Sequence, residues 1–308
     1  MSEGIPRTQA SIRSPWVGER WQHLLITDVD NTLFDFGLYA EAGLQALLPA
    51  ARRLLGLAYD DAIAEIREAH TFYNSVEMPF AYELLPSMAS RHDADRHRIS
   101  RQLADAFWTG ASQGMAPYPG VASTMNHLWR NGTAIVAVSD GPMREVWRKL
   151  RRLGLLQYVA GIVAVGNLRR RREPILQPSD VTDYIDPHRS RSRFYQLLGH
   201  EDRKPSPLAY QHVLREVPMS LSRVTVVGDS PLKDLQPARE IGIPHLYWAK
   251  YGERNRHLEP LLQSVTPFEP PEAVQSQKSA ARGFRTLEHF EQLETLISMP
   301  QSRLPLSP

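Results

Sequence analysis

The chain has no cysteine, so disulfides, thiolate metal sites and thiol nucleophiles are excluded. It has no apolar stretch near the roughly 20 residues that a membrane-crossing helix needs. Its net charge is only +2, so bulk electrostatics imply neither a nucleic acid nor a membrane surface as partner. Lysine is scarce: among 36 lysine and arginine residues only Lys149, Lys204, Lys233, Lys250 and Lys278 are lysine. The histidines lack metal-ligand spacing such as His-Glu-x-x-His, and His70 reads as a packing or surface residue. No internal repeat is present. Met1 to Glu19 is polar and lacks the apolar core of a signal peptide, which predicts a disordered tail over residues 1–20 and a cytoplasmic protein.

What is there supports a folded chain of more than one domain: 308 residues with 42% hydrophobic content. Short apolar runs recur at His23–Thr27, Ala134–Ser139, Tyr158–Val165, Val224–Gly228 and His245–Trp248. Near-continuous apolarity fits strands of a parallel sheet covered on both faces. Helical patterns separate them, with Val121, Met125, Leu128 and Trp129 on one face, Val146, Leu150 and Leu153 on another before Gly154, and Leu235, Ala238 and Ile241 on a third before Gly242. This alternation predicts an α/β fold with a doubly wound parallel sheet.

Residues 39–114 interrupt the alternation and read as all-helical: Leu44, Leu47, Leu48, Ala51 and Leu55, then Ile63, Ile66 and Tyr73, then Ile99, Leu103 and Phe107. Pro117-Tyr-Pro-Gly120 marks the return. The predicted division is an α/β core over 21–38 and 115–254, a smaller helical domain over 39–114, and a C-terminal extension over 255–308 with one helix near Thr286–Ile297 and a flexible tail. Residues 167–202, with Arg169-Arg170-Arg171-Arg172, read as a solvated surface loop, or as a contact for an anionic substrate or partner.

Chemistry concentrates at the ends of the apolar runs. Asp28-Val-Asp30-Asn31-Thr32 follows the first run, and the alternate spacing puts both acids on one side of a strand end. Open α/β folds bind ligands at that carboxyl edge. Two acids so close repel unless a cation or proton intervenes. The second run ends in Ser139. Lys204-Pro-Ser206-Pro207 places a lysine before a helix start, with Ser206 as N-cap and Pro207 as first helical residue. A further run ends in Gly228-Asp229-Ser230, and Asp234 follows.

In that order the four motifs resemble the haloacid dehalogenase superfamily, mostly phosphohydrolases, over roughly residues 21–250. The resemblance implies that the helical segment is a cap over the active site. It implies that Asp28 is a nucleophile forming an aspartyl-phosphate and that Asp30 is the acid and base for leaving group and water. Backbone N–H groups from Val29 to Leu33, with Asn31 and Thr32, would cradle phosphate. Ser139 and Lys204 would bind the phosphoryl group. Mg2+ would be held by the Asp28 side chain, the Asp30 carbonyl and the Asp229 side chain, with Asp234 supporting its waters or Lys204. Two departures stand out: Asn31 where many relatives have glycine, and Asp140 where asparagine is common.

The resemblance also separates functions. Dehalogenases lack the second motif acid, because a halide leaves without a proton, so Asp30 favours phosphoryl transfer. The phosphonate-cleaving branch needs a cap lysine, and residues 1–148 contain none. A phosphomutase or other phosphotransferase keeps the same motifs and is the alternative to a phosphatase. A non-catalytic regulatory protein that binds a phosphorylated ligand would be expected to have lost some of them. The expected substrate is a small phosphorylated metabolite, a phosphomonoester. Tyr73, Asn74, Glu77, Arg91 and His92 fall near predicted helix ends as positions that face the site, though each residue type there is more often surface or packing.

Overall fold

A computed structural model describes residues 21–73, 76, 81–166, 193–253, 259–266 and 279–298. Among the described residues seven strands form one sheet in the order β4-β3-β2-β1-β5-β6-β7. They are β1 (His23–Thr27), β2 (Thr133–Pro142), β3 (Gly161–Val165), β4 (Phe194–Leu198), β5 (Val224–Gly228), β6 (His245–Ala249) and β7 (Arg285–Leu287). Every pairing is parallel. The chain starts at the central strand, works outward to β4, then returns to β5 on the other side of β1. That reversal makes the carboxyl end of β1 a topological switch point, where such sheets open a crevice.

Alternate residues of each strand enter opposite cores. Leu25, Ile135, Ala137, Ile162, Ala164 and Val227 face helices α4 (Val121–Arg130) and α5 (Met143–Arg152) through Val121, Met125, Leu128, Val146 and Leu150. Leu24, Ile26, Val136, Val138, Val163 and Val226 face Ala209, Tyr210 and Val213 of α6 (Leu208–Glu216) and Ala238 of α7 (Gln236–Glu240). With helices on both faces the sheet is doubly wound, as its apolar runs predict. Among the described residues no helix is long and apolar enough to cross a membrane.

Between β1 and β2 the described residues form α1 (Phe36–Leu55), α2 (Tyr59–Tyr73), two 3-10 turns and α3 (Asp93–Gln113) ahead of α4. Asp35 caps α1 by accepting from the Leu38 N–H at 2.9 Å, and Gly56 ends it in the left-handed region at φ 77°. Leu44, Leu47, Leu48, Ala51, Leu55, Ile99, Leu103 and Phe107 are buried, in keeping with their helical spacing. His92 caps α3: its Nδ1 accepts from the Ala94 N–H at 3.3 Å. Asn74 and Glu77 lie outside the described residues, as do the N-terminal segment 1–20, Arg169–Arg172 and residues 299–308.

Four expectations need correction. The segment 167–202 is not wholly a loop, because Phe194–Leu198 is the edge strand β4. The third apolar run enters the sheet only at Gly161, after a 3-10 turn over Leu156–Tyr158. The helix expected from Thr286 starts at Gln292 as α9 (Gln292–Ser298), because Arg285–Leu287 pairs with β6 as the opposite edge strand. Pro207 is the cap of α6 rather than its first residue, and the Ser206 hydroxyl accepts from the Leu208 N–H at 3.4 Å.

The C-terminal segment also reaches the helical insert. Helix α8 (Pro260–Val265) packs on α1 and α2. The buried Glu41 carboxylate of α1 accepts from the Leu261 and Leu262 N–H groups at 3.3 and 2.9 Å. The fully buried His70 of α2 donates through Nδ1 to the Val265 carbonyl at 3.2 Å, while its Nε2 has no partner among the described residues. Burial pushes the His70 imidazole down to about 4, with the Val265 bond acting the other way. The unfolded chain takes this proton near pH 6.5 and the folded chain only near pH 4. Stability therefore falls as pH drops through that window. Between pH 7 and pH 5 this one group is expected to cost about 2 kcal/mol. Urea unfolding of the wild type and His70→Phe at both pH values checks it; an equal loss in the two proteins would show that His70 is not the group.

Candidate active site

Asp28 lies just beyond β1, and its N–H donates to the Val227 carbonyl of β5 at 3.0 Å, carrying the sheet pairing one residue further. The chain then closes a turn through the Leu33 N–H to the Val29 carbonyl at 2.9 Å. Asn31 sits at φ 57° in this turn, a conformation that glycine and asparagine adopt most readily. The departure from glycine at this position is thus conformationally neutral. Asn31 also uses its side chain: Nδ2 donates to Asp229 Oδ2 at 3.3 Å, and Oδ1 accepts from the Phe36 N–H at 3.2 Å. The Thr32 hydroxyl is fully buried and donates to Asp28 Oδ2 at 2.9 Å. Both side chains therefore hold the turn and its carboxylates together.

The other Asp28 oxygen meets Lys204. Its ammonium lies 2.6 Å from Asp28 Oδ1, 2.6 Å from Asp234 Oδ1 and 3.4 Å from the Val138 carbonyl. Burial alone would depress this lysine, but the charges of Asp234, Asp28 and Asp140 hold it well above the ordinary range. Asp140 explains how the lysine is aimed, since its Oδ1 accepts from the Lys204 N–H at 2.9 Å. The second departure is an anchor for the lysine loop. Ser139 is buried, and its oxygen accepts from the Gly141 N–H at 3.1 Å.

Asp229 and Asp234 complete the acidic group. Asp234 Oδ2 accepts from the Ser230 N–H at 2.9 Å. Its side chain lies over Gly228, where a Cβ would stand 2.4 Å from the Asp234 carboxyl carbon. Burial raises Asp229 well above the carboxylate range, and the charges of Asp28 and Asp234 push the same way. Burial raises Asp234 to about 6 against the opposing pull of Lys204. Asp28, Asp229 and Asp234 offer carboxylate oxygens within 4.8 Å of one another, an all-oxygen donor set that suits a hard divalent cation.

Asp30 points to a partner that the sequence reading passed over. Its Oδ1 lies 2.6 Å from the Lys149 ammonium of α5, and Lys149 has no solvent exposure. The signal was present: Lys149 falls on the same helix face as Val146, Leu150 and Leu153, a charge among core positions. Four acids, Asp28, Asp30, Asp229 and Asp234, thus face two bases, Lys149 and Lys204, and the all-oxygen group among them suits a divalent cation.

Tyr251 and Gly252, just after β6, were also passed over. The Tyr251 hydroxyl donates to the Thr32 carbonyl at 2.8 Å, and its ring packs edge-on against Tyr118 at 5.4 Å. Burial keeps both phenols protonated, raising each well above its usual range. Gly252 lies so close to the turn that a Cβ would stand 1.7 Å from the Asn31 carbonyl oxygen.

A family profile for haloacid dehalogenase-like hydrolases matches residues 23–242. No curated protein matches the chain. Among solved structures, the 2-haloacid dehalogenase of Pseudomonas syringae pv. Tomato DC3000 superposes at a TM-score of 0.55 and 17% identity, over 90% of this chain and 98% of its own. The HAD phosphatase of Thermococcus onnurineus aligns over 76% of this chain and 89% of its own, at 18% identity and a TM-score of 0.48. At 17% identity the likeness to the dehalogenase is one of fold.

A methyl group at position 252 must displace the turn that carries Asn31. Gly252→Ala is expected to lower stability by roughly 1–3 kcal/mol, as overpacking does. An unchanged urea midpoint would show that the turn yields freely.

Proposed function

The chain belongs to the haloacid dehalogenase-like hydrolase family, and on that premise we propose that it is a Mg2+-dependent phosphatase acting on a small phosphomonoester. The observation that carries this reading is Asp30, a carboxyl group two residues from Asp28 with about a quarter of its side chain exposed (24%). A departing alkoxide needs a proton and a departing halide does not, so this group serves ester hydrolysis and has no use in dehalogenation.

In the first step an Asp28 carboxylate oxygen attacks phosphorus, the bond from phosphorus to the ester oxygen breaks, and that oxygen takes a proton from the Asp30 carboxyl. In the second step water attacks the same phosphorus, Asp30 takes a proton from that water, and the bond to Asp28 breaks. Ester and water become alcohol and phosphate, and both aspartates return to their starting states. Lys204, already on Asp28 Oδ1 at 2.6 Å, offsets the charge that builds on the phosphoryl group. Thr32 fixes the nucleophile by its other oxygen. Asp28, Asp229 and the Asp30 carbonyl would hold Mg2+, with Asp234 beside them, and the ion when bound would neutralise the excess negative charge and polarise the phosphoryl oxygens. The helical insert between β1 and β2 contributes none of these groups. It serves as a cap that selects among substrates.

Two measurements test the reading. With Mg2+, purified protein is expected to release phosphate from members of a phosphomonoester panel and to lose that activity on exhaustive chelation; activity that survives chelation would sink the metal assignment. Asp28→Asn is expected to lower turnover by roughly a thousandfold or more with an unchanged circular dichroism spectrum. Wild-type turnover in that variant would mean another nucleophile.

A further inference from the structure

We infer that Lys149 is the positioning residue of Asp30, fixing the acid–base carboxyl through its Oδ1. The inference rests on the phosphatase reading above.

Lys149 is a charge placed where the fold offers only a core position. Its helix neighbours Val146 and Leu150 are fully buried, and so is Lys149 itself. Removing an ammonium from water is costly, and a buried ion pair seldom adds more stability than apolar side chains of the same size would. Stability therefore gives no reason to keep a lysine here. The surroundings give one. The ammonium lies over the rings of Phe34, Phe36 and Tyr39, at 5.6, 4.9 and 5.4 Å from their centroids. Three aromatic faces attract a cation and limit where it can sit. They hold Nζ within 2.6 Å of Asp30 Oδ1.

The rings come from the elements that must be aligned for catalysis. Phe34 and Phe36 directly follow the turn that carries the nucleophile, and Tyr39 belongs to α1 of the helical insert. Lys149 itself comes from α5, the helix that follows the Ser139 strand. One side chain thus ties the acid–base residue to the core helix and to the base of the insert. The two lysines of the site divide the work, with Lys204 on the nucleophile and Lys149 on the acid–base group. Glu145, one turn earlier on α5 and also buried, keeps Arg148 at 3.6 Å, so removing Lys149 does not strand it.

The test compares 4-nitrophenyl phosphate, whose leaving group needs little protonation, with phenyl phosphate, which needs more. Lys149→Met is expected to lower kcat on phenyl phosphate by about 100-fold and on 4-nitrophenyl phosphate by less than about 10-fold, the range over which acid–base assistance acts. KM stays unchanged on both, and Lys149→Arg recovers most of the lost rate on phenyl phosphate. In an Asp30→Asn background, Lys149→Met is expected to cost nothing more, because the lysine acts through that carboxyl. Equal losses on the two esters, a loss confined to KM, full activity, or a further loss in the Asp30→Asn background would each overturn the assignment. So would failure of both Lys149→Met and Lys149→Gln to fold, since the lysine would then be part of the scaffold. If the wild type hydrolyses neither ester with Mg2+, the phosphatase reading itself fails and the role of Lys149 falls with it.

Discussion

The structure depends on crowding four carboxylates at the carboxyl end of one parallel sheet. Asp28 and Asp30 follow the central strand, and Asp229 and Asp234 follow its neighbour β5. Parallel pairing brings those two strand ends side by side, so like charges meet wherever both carry acids. Lys204 makes the arrangement tenable, with one ammonium 2.6 Å from carboxylates on both strands. What it does not cancel shows as the upward displacement of Asp229 and Asp234, driven first by burial. An acidic group left short of positive charge in this way could hold a metal ion.

The central parts of this arrangement were legible in the sequence because both strands are buried on two faces. Their apolar runs are nearly unbroken, and the observed bounds His23–Thr27 and Val224–Gly228 coincide with those runs. The acids follow at once, so finding the strand finds the site. The edges were harder to read. In Phe194–Leu198 the three middle residues are only partly buried, and Arg285–Leu287 has three residues and one buried side chain. Short edge strands carry little period and little apolar content, and a helical pattern starting nearby outweighs them. Lys149 stayed hidden for a different reason. A pattern search for apolar faces skips a charge lying within one, although a charge at such a position is what burial makes costly and function makes worth keeping.

The helical insert is joined to the core in two ways. Its first helix begins two residues after Phe34, so the turn that follows Asp28 runs directly into it. Its far side is held by α8, through Glu41 on backbone amides and His70 on a carbonyl. Just beyond β6, Tyr251 donates to the Thr32 carbonyl and Gly252 lies against Asn31. One stretch of chain beyond β6 therefore touches both the turn and the insert.

The two departures from the family pattern are part of the same mechanics. Asparagine at position 31 keeps the left-handed turn open to a residue with a side chain, and that side chain reaches Asp229 on the neighbouring strand. Aspartate at position 140 adds a negative charge to a site already rich in them, yet its carboxylate is taken up by the Lys204 N–H. Burial lowers the pKa of the adjacent Arg203, and the charge of Asp140 offsets part of that. In both cases a motif position gains a hydrogen bond to a different motif. The turn after Asp28, the Ser139 strand, the Lys204 loop and the end of β5 are consequently bonded to one another as well as brought near by the sheet. Preorganisation of that kind is what allows a charged cleft to hold its geometry before any substrate arrives.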